Sequence, residues 1–563
     1  MSHTHTEGVE YGGGVRWELE FHLLLRDYII FCMKNCNNIK NCVSRVWPIV
    51  RNQWGVLSLF LVVSLGMNLL CSCFSPMFSL VLSTDSSCFY MQGHAWANGL
   101  VPYVDFIDVK GPLLFFLYKI ACILTPDSTV GAYLLYSFAE ATCLYFSYRT
   151  GLLLLEDGKK AFVSAMALLP VIYWWQTYLS GGESEELMMP CFSLLLYTWL
   201  RYMRKPECPS SLKSLSFSMG VGAGVTLLIK YNCTFVFAVA FVLLSLLLIS
   251  SGKWRAVLMQ VLPCVFMGFF IVVAPFMLYL YTSGTLQPCW EVYVTLNFST
   301  YFGAHTQLYS MGKGLTKFIS YAEMIFRCRE GLWASLSIIV ASFYPFFLPK
   351  EKKRCAMLLV ILGAAFFSCM GRYHDYYMLF CAPSFIIPIL FVLQHLKFKL
   401  GNAAVLIIAI GCMYVAVREN GQWAERAPLR VTQKLSGSVA EAENAVCRIR
   451  NPRILYLGAL DRGFGVSVGA LPACPEWCTL NGVDNAFKER QKKAVEQRKA
   501  DFIIVLSEWY GAQPKSPIAG KVEYQTPYDA LCQTNGYARV CSFSDGKRPS
   551  GLYTLYSKKK IAD

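Results

Sequence analysis

Apolar runs near the length of about 20 residues that crosses a hydrocarbon core recur along the first three quarters of this chain, broken by short polar stretches. They fall at 54–82, 130–153, 160–178, 187–203, 212–230, 233–250, 256–282, 332–348, 355–371, 376–396 and 400–417. This pattern predicts eleven membrane spans. One further run, Pro112 to Leu124, is too short to cross. It reads as a juxtamembrane or re-entrant helix with Pro112 in its first turn, where a missing N–H costs nothing.

The charges between the runs set the orientation. Lys34, Lys40, Arg45 and Arg51 precede the first run. Arg149, Lys159, Lys160, Arg201, Arg204, Lys205, Lys213, Lys253, Arg255, Lys350, Lys352, Lys353, Arg354, Lys397 and Lys399 then fall on the same side if the short run is not counted as a span. Basic loops stay cytoplasmic. The other, outer face then collects 83–129, 179–186, the turn at Lys230, 284–331, 372–376 and everything after Arg418.

Beyond residue 418 the pattern changes. Arg453–Gly458, Asp501–Leu506 and Leu552–Tyr556 read as short buried strands around a polar helix at Asp484–Lys499, the order of a small α/β domain. The expected fold is therefore an all-α polytopic membrane protein of about eleven transmembrane helices, plus juxtamembrane helices and a small C-terminal α/β extracytoplasmic domain. The domains divide as a cytoplasmic segment 1–53, a transmembrane domain 54–417 and the α/β domain 418–563. Gly458, Gly463, Gly465 and Gly469 lack the GxGxxG spacing and read as turn glycines, not a nucleotide site.

Composition agrees with a membrane protein: 563 residues, 55% hydrophobic and only 15% charged. The net charge of +15 fits basic loops beside anionic lipid, and no nucleic-acid-binding motif accompanies it. The 23 cysteines lie mostly inside apolar runs, where the thiol behaves as a small hydrophobe, and none completes a zinc pattern. Cys474, Cys478, Cys532 and Cys541 are candidates for a disulfide or two if their domain lies outside the cytosol.

Two chemical types converge on the outer face. Carboxylates stand at Asp85, Asp105, Asp108, Glu183, Glu185 and Glu186. Such groups take a proton from an attacking hydroxyl or hold a divalent metal, and for the three glutamates the acidic first turn of a helix is the competing reading. Cations stand at Lys110, Lys230, Arg372 and His374. Lysine and arginine here suit a phosphate, against snorkelling to lipid headgroups for Lys230 and an interfacial belt for His374.

Asp85-Ser-Ser, then Gly99-Leu-Val-Pro-Tyr-Val-Asp-Phe and Asp108-Val-Lys-Gly-Pro-Leu, resemble the first outer loop of bacterial membrane glycosyltransferases related to the protein O-mannosyltransferases and the aminoarabinose transferases. These are polyprenyl-phosphate-sugar enzymes of the C-type glycosyltransferase fold. The resemblance continues at Gly181–Glu186, Leu228–Asn232 and Gly371–Tyr377. It implies that Asp85 acts as base or orients the acceptor, that Lys110 lies near the donor phosphate, and that Arg372 and His374 lie near the same phosphate. Val109 stands where the aminoarabinose transferases carry Glu, with Asp108 one position earlier.

The expected function is transfer of a sugar from a polyprenyl-phosphate-linked donor to an envelope glycan, lipid or protein acceptor on the outer face of a bacterial inner membrane. The reaction would invert the anomeric carbon. Asp85, Asp108, Glu185 and Glu186 are the catalytic candidates, and Lys110, Lys230, Arg372 and His374 the phosphate-binding ones. The cofactor is left open between none and a divalent metal held by Asp108 and His374. The alternative is a transporter or flippase of lipid-linked glycans. Ionisable groups inside the spans, which that reading calls for, are few, with Glu140 the main one.

Overall fold

The computed structural model describes residues 53–174 (except 79, 81 and 127), 181–297, 352–369, 375–395, 399–420, 439–478, 485–509, 527–544 and 551–558. Its helices are α1 (Gln53–Cys71), α2 (Thr84–Ala97), α3 (Pro112–Leu124), α4 (Val130–Leu155), α5 (Gly158–Met166), α6 (Leu169–Ile172) and α7 (Ser184–Arg204), followed by α8 (Pro209–Ile229) and α9 (Thr234–Ser250). Then come α10 (Leu262–Thr282), α11 (Lys352–Cys369), a 3-10 segment Asp375–Phe385 leading into α12 (Ile386–His395), and α13 (Asn402–Asn420). Five described stretches are long and apolar enough to cross a membrane: Gln53–Cys71, Pro209–Ile229, Tyr231–Ser250, Trp254–Thr282 and Tyr376–His395. The predicted span 332–348 and the N-terminal segment 1–52 lie outside the described residues.

The long helices run between two ends with different chemistry. At one end Arg149 reaches Gln53, Arg204 pairs with Glu156, Lys253 pairs with Glu207, and Lys159 and Lys160 donate to the carbonyls of Leu400 and Leu393. The basic residues between spans are thus gathered at one end, as the charge pattern requires. At the opposite end lie the C-termini of α1, α8, α10 and α11 and the N-termini of α4 and α7.

Small residues let the bundle close. A Cβ added at Gly220 of α8 would come within 2.1 Å of the Val265 carbonyl of α10, and one at Gly268 within 2.4 Å of the Phe217 carbonyl. Close backbone approach of this kind holds helices together where lipid removes the hydrophobic driving force. On the outside of this pair Phe266, Met267, Phe270, Ile271 and Leu278 are exposed, continuing along Phe235, Val242, Leu246 and Ile249 of α9. That is an apolar surface suited to acyl chains.

Three expectations are corrected. The first predicted span, 54–82, is helical only to Cys71. Ser72 and Ser75 turn their hydroxyls onto nearby backbone, and Pro76 follows. This local competition ends helices. The second, 160–178, is two short helices: Pro170 has no N–H to give the carbonyl of Met166, where the first of them ends. The third, the outer segment 83–129, is largely helical: α3 forms as predicted with Pro112 at its start, and α2 forms unforeseen. They pack so closely that a Cβ at Gly93 would meet Tyr118 at 2.3 Å.

The C-terminal region forms a five-stranded sheet of β1 (Arg453–Leu457), β2 (Leu471–Pro472), β3 (Phe502–Trp509), β4 (Ala538–Ser544) and β5 (Gly551–Ser557), in the order β2-β1-β3-β5-β4. β1 pairs in parallel with β2 and β3, whereas β5 lies antiparallel between β3 and β4. The three predicted strands and the helix at Asn485–Glu496 are present, and β2 and β4 complete the sheet. Cys474, Cys478, Cys532 and Cys541 are all free thiols, and the Cys478 sulfur lies 4.0 Å from that of Cys88 in α2.

This domain grips α2. The buried Asp461 accepts hydrogen bonds from the Ser87 hydroxyl of α2, from Tyr456 of β1 at 2.6 Å and from the Gly465 amide at 3.0 Å. The Ile107 amide donates to the Pro475 carbonyl at 3.2 Å.

Candidate active site

The site is built around the loop Asp108-Val-Lys-Gly111, whose backbone is anchored at three successive residues. The Val109 carbonyl accepts from Asn297 at 2.8 Å, the Lys110 carbonyl from the Tyr103 hydroxyl at 2.8 Å, and the Gly111 amide donates to the Ile229 carbonyl at 3.0 Å. Gly111 is obligatory here: a Cβ would stand 2.1 Å from the Leu228 carbonyl. The same contact brings Lys110 beside Lys230, the residue that follows α8. Tyr103 itself holds φ at +65°, a strained conformation for a tyrosine, and its amide donates to the Phe106 carbonyl across a tight turn. Asp105 closes that turn by accepting from the Val101 amide at 2.7 Å, a structural role.

Lys110 is partly buried, with its ammonium 5.7 Å from the Phe89 ring centre. Burial works against the charge. Asp85 above all, then Tyr377, Glu185 and Asp108, overcome it and hold the pKa above the usual lysine value. Lys110 therefore stays cationic.

Asp85 sits in the first turn of α2, where a carboxylate complements the helix dipole. Tyr376 donates to its Oδ2 at 3.0 Å. Asp108 is buried and accepts from Gln92 at 2.9 Å. Burial raises its pKa, with Lys110 and the Gln92 bond pulling the other way.

The acidic stretch at the start of α7 divides into distinct roles. Glu185 forms a buried ion pair with Lys230 and accepts from Ser184 at 2.8 Å on its other oxygen. Lys230 also lies over the Tyr377 ring, 3.2 Å from its centre. Glu186 accepts from the Glu183 amide at 2.9 Å, half of a capping box, which is the helix-start role weighed for it from sequence. Glu183 accepts from Ser83 at 2.9 Å, and its Oε2 is buried with no partner. Burial, with Asp85 and Glu185 nearby, pushes the Glu183 pKa well above the usual carboxylate range. Gly182, at φ +87°, brings this stretch against α2, where a Cβ would meet that of Ser86 at 2.6 Å.

Asp85, Asp108, Lys110, Glu185 and Lys230 therefore form one cluster, with Glu186 anchoring its edge. Arg372 and His374 lie outside the described residues, although Tyr376 and Tyr377 just after them belong to the cluster. Sequence reasoning missed Tyr376 as a ligand of Asp85, Gln92, Asn297, and Glu183 as the acid with an unpaired oxygen. The RYHDYY stretch, read only for its cation and histidine, was the available signal for the tyrosine. Among the described residues no three His, Cys, Asp or Glu side chains gather as a metal site. Asp108, the one described candidate ligand, turns an oxygen to Gln92.

Residues 109–279 match the family described as dolichyl-phosphate-mannose-protein mannosyltransferase. The fold is similar to that of ArnT from Cupriavidus metallidurans, with a TM-score of 0.56 in the apo state and 0.55 bound to undecaprenyl phosphate. Each match has 12% identity and covers 90% of this chain and 98% of that one. Arabinofuranosyltransferase AftD from Mycobacteria matches with a TM-score of 0.42 and 12% identity, covering 90% of this chain and 40% of that one. No curated protein matches in sequence. This chain therefore shares the fold of ArnT, with helices long and apolar enough to cross a membrane, and it matches the mannosyltransferase family over residues 109–279.

Proposed function

We propose that this chain transfers a sugar from a polyprenyl-phosphate-linked donor to a hydroxyl of a glycan, lipid or protein acceptor, at the outer face of a bacterial inner membrane and with inversion. The observation that carries the reading is the gathering of Asp85 with Tyr376, and of Glu185 with Lys230 and Tyr377, from segments far apart in sequence at the end of the bundle opposite the basic residues. The undecaprenyl phosphate held by the structurally similar ArnT supports the choice of donor.

In this mechanism the acceptor oxygen attacks the anomeric carbon and loses its proton to Asp85. Tyr376 orients the carboxylate from one oxygen, leaving the other toward the acceptor. The bond from the anomeric carbon to the phosphate oxygen breaks, and polyprenyl phosphate departs with its added negative charge. Lys110 stabilises that charge from a position set in advance by its anchored backbone, the form of electrostatic help that needs no reorganisation. Lys230 is already neutralised by Glu185, so its task is to place Glu185 and Tyr377 beside Lys110. The cluster supplies base and cation from the protein itself. The transporter reading leans on Glu140, whose carboxylate accepts from Asn68 at 2.7 Å and from Tyr173, a tie between helices.

The test uses purified chain in lipid nanodiscs, with release of polyprenyl phosphate from a sugar-charged donor as the readout. Asp85→Asn is expected to lower turnover by about 10²–10⁴-fold while leaving donor binding intact. Undiminished turnover in Asp85→Asn would remove the base from this mechanism. Donor disappearance from one leaflet without release of polyprenyl phosphate would favour transport.

A further inference from the structure

A cavity away from the Asp85 cluster lies where the C-terminal domain meets the far ends of α2 and α3. Its volume is about 770 Å³, within the range of small-ligand sites. One wall is formed by His94 and Asn98 at the end of α2 and by Ile123 of α3, the other by Arg448, Arg450 and Ser467 of the C-terminal domain. His94 is nine residues along α2 from Asp85, about 14 Å at the helical rise, so the two sites share a helix but not a ligand position.

We infer that this cavity binds the anionic headgroup of a membrane lipid. Among the described residues the charge is one-sided: Arg448, Arg450 and His94 line the cavity, and no described carboxylate does. Neither arginine forms an ion pair among the described residues. Arginine's planar fork suits a phosphate or carboxylate, while Asn98 and Ser467 offer hydrogen bonds to neighbouring hydroxyls. The occupant is a lipid because the cavity is apolar on one side. Ile123 lines it and is 57% exposed, and Ile120 and Leu124 of the same juxtamembrane helix are 39% and 68% exposed. An amphiphile would lay its chain along this strip and its headgroup between the arginines. The bond from Asn451 to Asn98, 3.3 Å long, ties the two walls together at this place.

The experiment compares wild type with the Arg448→Gln/Arg450→Gln double variant in phosphatidylcholine nanodiscs, titrated with phosphatidylglycerol, and reads retained lipid by native mass spectrometry. Loss of charge-assisted bonds should weaken phosphatidylglycerol retention about tenfold or more, while Lys213→Gln at the basic end leaves it unchanged. Should the double variant fold poorly, Ala97→Trp keeps every cation but fills the cavity, and it should likewise lose the lipid. Equal retention in wild type and in either folded variant overturns the proposal. So does a thermal stabilisation reproduced in full by inorganic phosphate alone, because that would make the ligand a free anion.

Discussion

At the basic end of the membrane domain, Arg204 meets Glu156 with side chains 39% and 76% exposed, and Lys253 meets Glu207 with 51% and 80% exposed. At the other end Lys230 and Glu185 pair with 12% and 1% exposed. The contacts are alike and their consequences are not. Water and salt screen the exposed pairs to about 0–1 kcal/mol. The buried pair must satisfy itself, since either charge left alone in that environment is costly. Charge at the basic end is therefore open to solvent, whereas charge at the other end is enclosed and must be balanced by its own neighbours.

The largest effect on stability should follow from breaking the buried pair. Lys230→Met leaves Glu185 without its cation and should cost about 3–5 kcal/mol, read as a shift in unfolding midpoint in detergent. A change no larger than that of Glu156→Ala would mean that the site end is as wet as the basic end. Next is Asp461, which fastens the C-terminal domain to α2. Asp461→Ala strands the Ser87 and Tyr456 hydroxyls and the Gly465 amide, costing about 1–3 kcal/mol. Because α2 carries Asp85, turnover should fall while donor affinity stays. Loss of donor affinity instead would show that the domain touches the donor itself.

A pH effect sharpens the same contrast. Burial raises the Glu183 pKa, so the folded chain holds a proton that the unfolded chain has released. Stability from this group is full below the unfolded pKa and declines as pH rises toward the folded one. Glu183→Gln, which mimics the protonated form, should flatten that decline in a pH series of unfolding midpoints. An unaltered slope would place the decline on another group. The smallest effect is expected from Glu156→Ala, within about 1 kcal/mol and vanishing in high salt.

Much of this was legible in the chain before its fold was known, and the reasons for the gaps are physical. Long apolar helices such as α8 and α9 announce themselves by length and composition, and the buried strands β1 and β3 by their aliphatic runs. Helix α2 does not: its residues Ser86 to Gly93 are all buried, so no polar face marks a helical period. Strand β4 carries a bulge at Arg539–Cys541 that disturbs its alternation. At the site, Lys110, Asp85 and Lys230 stand out as charges at the edges of apolar runs. The separate tasks of Glu185 and Glu186 could not be read, because they depend on Lys230 and on the Glu183 amide. Tyr376 lies 291 residues from its partner Asp85, and no local pattern encodes such a pairing.

The most direct test of the account sets one lysine at each end against the other. Polyprenyl phosphate binding is measured by titration into nanodiscs holding wild type, Lys110→Gln or Lys253→Gln. Loss of the charge-assisted contact should weaken binding to Lys110→Gln about tenfold or more, with Lys253→Gln matching wild type. Equal affinity in all three would contradict the claim that the buried-charge end of this protein receives the lipid phosphate.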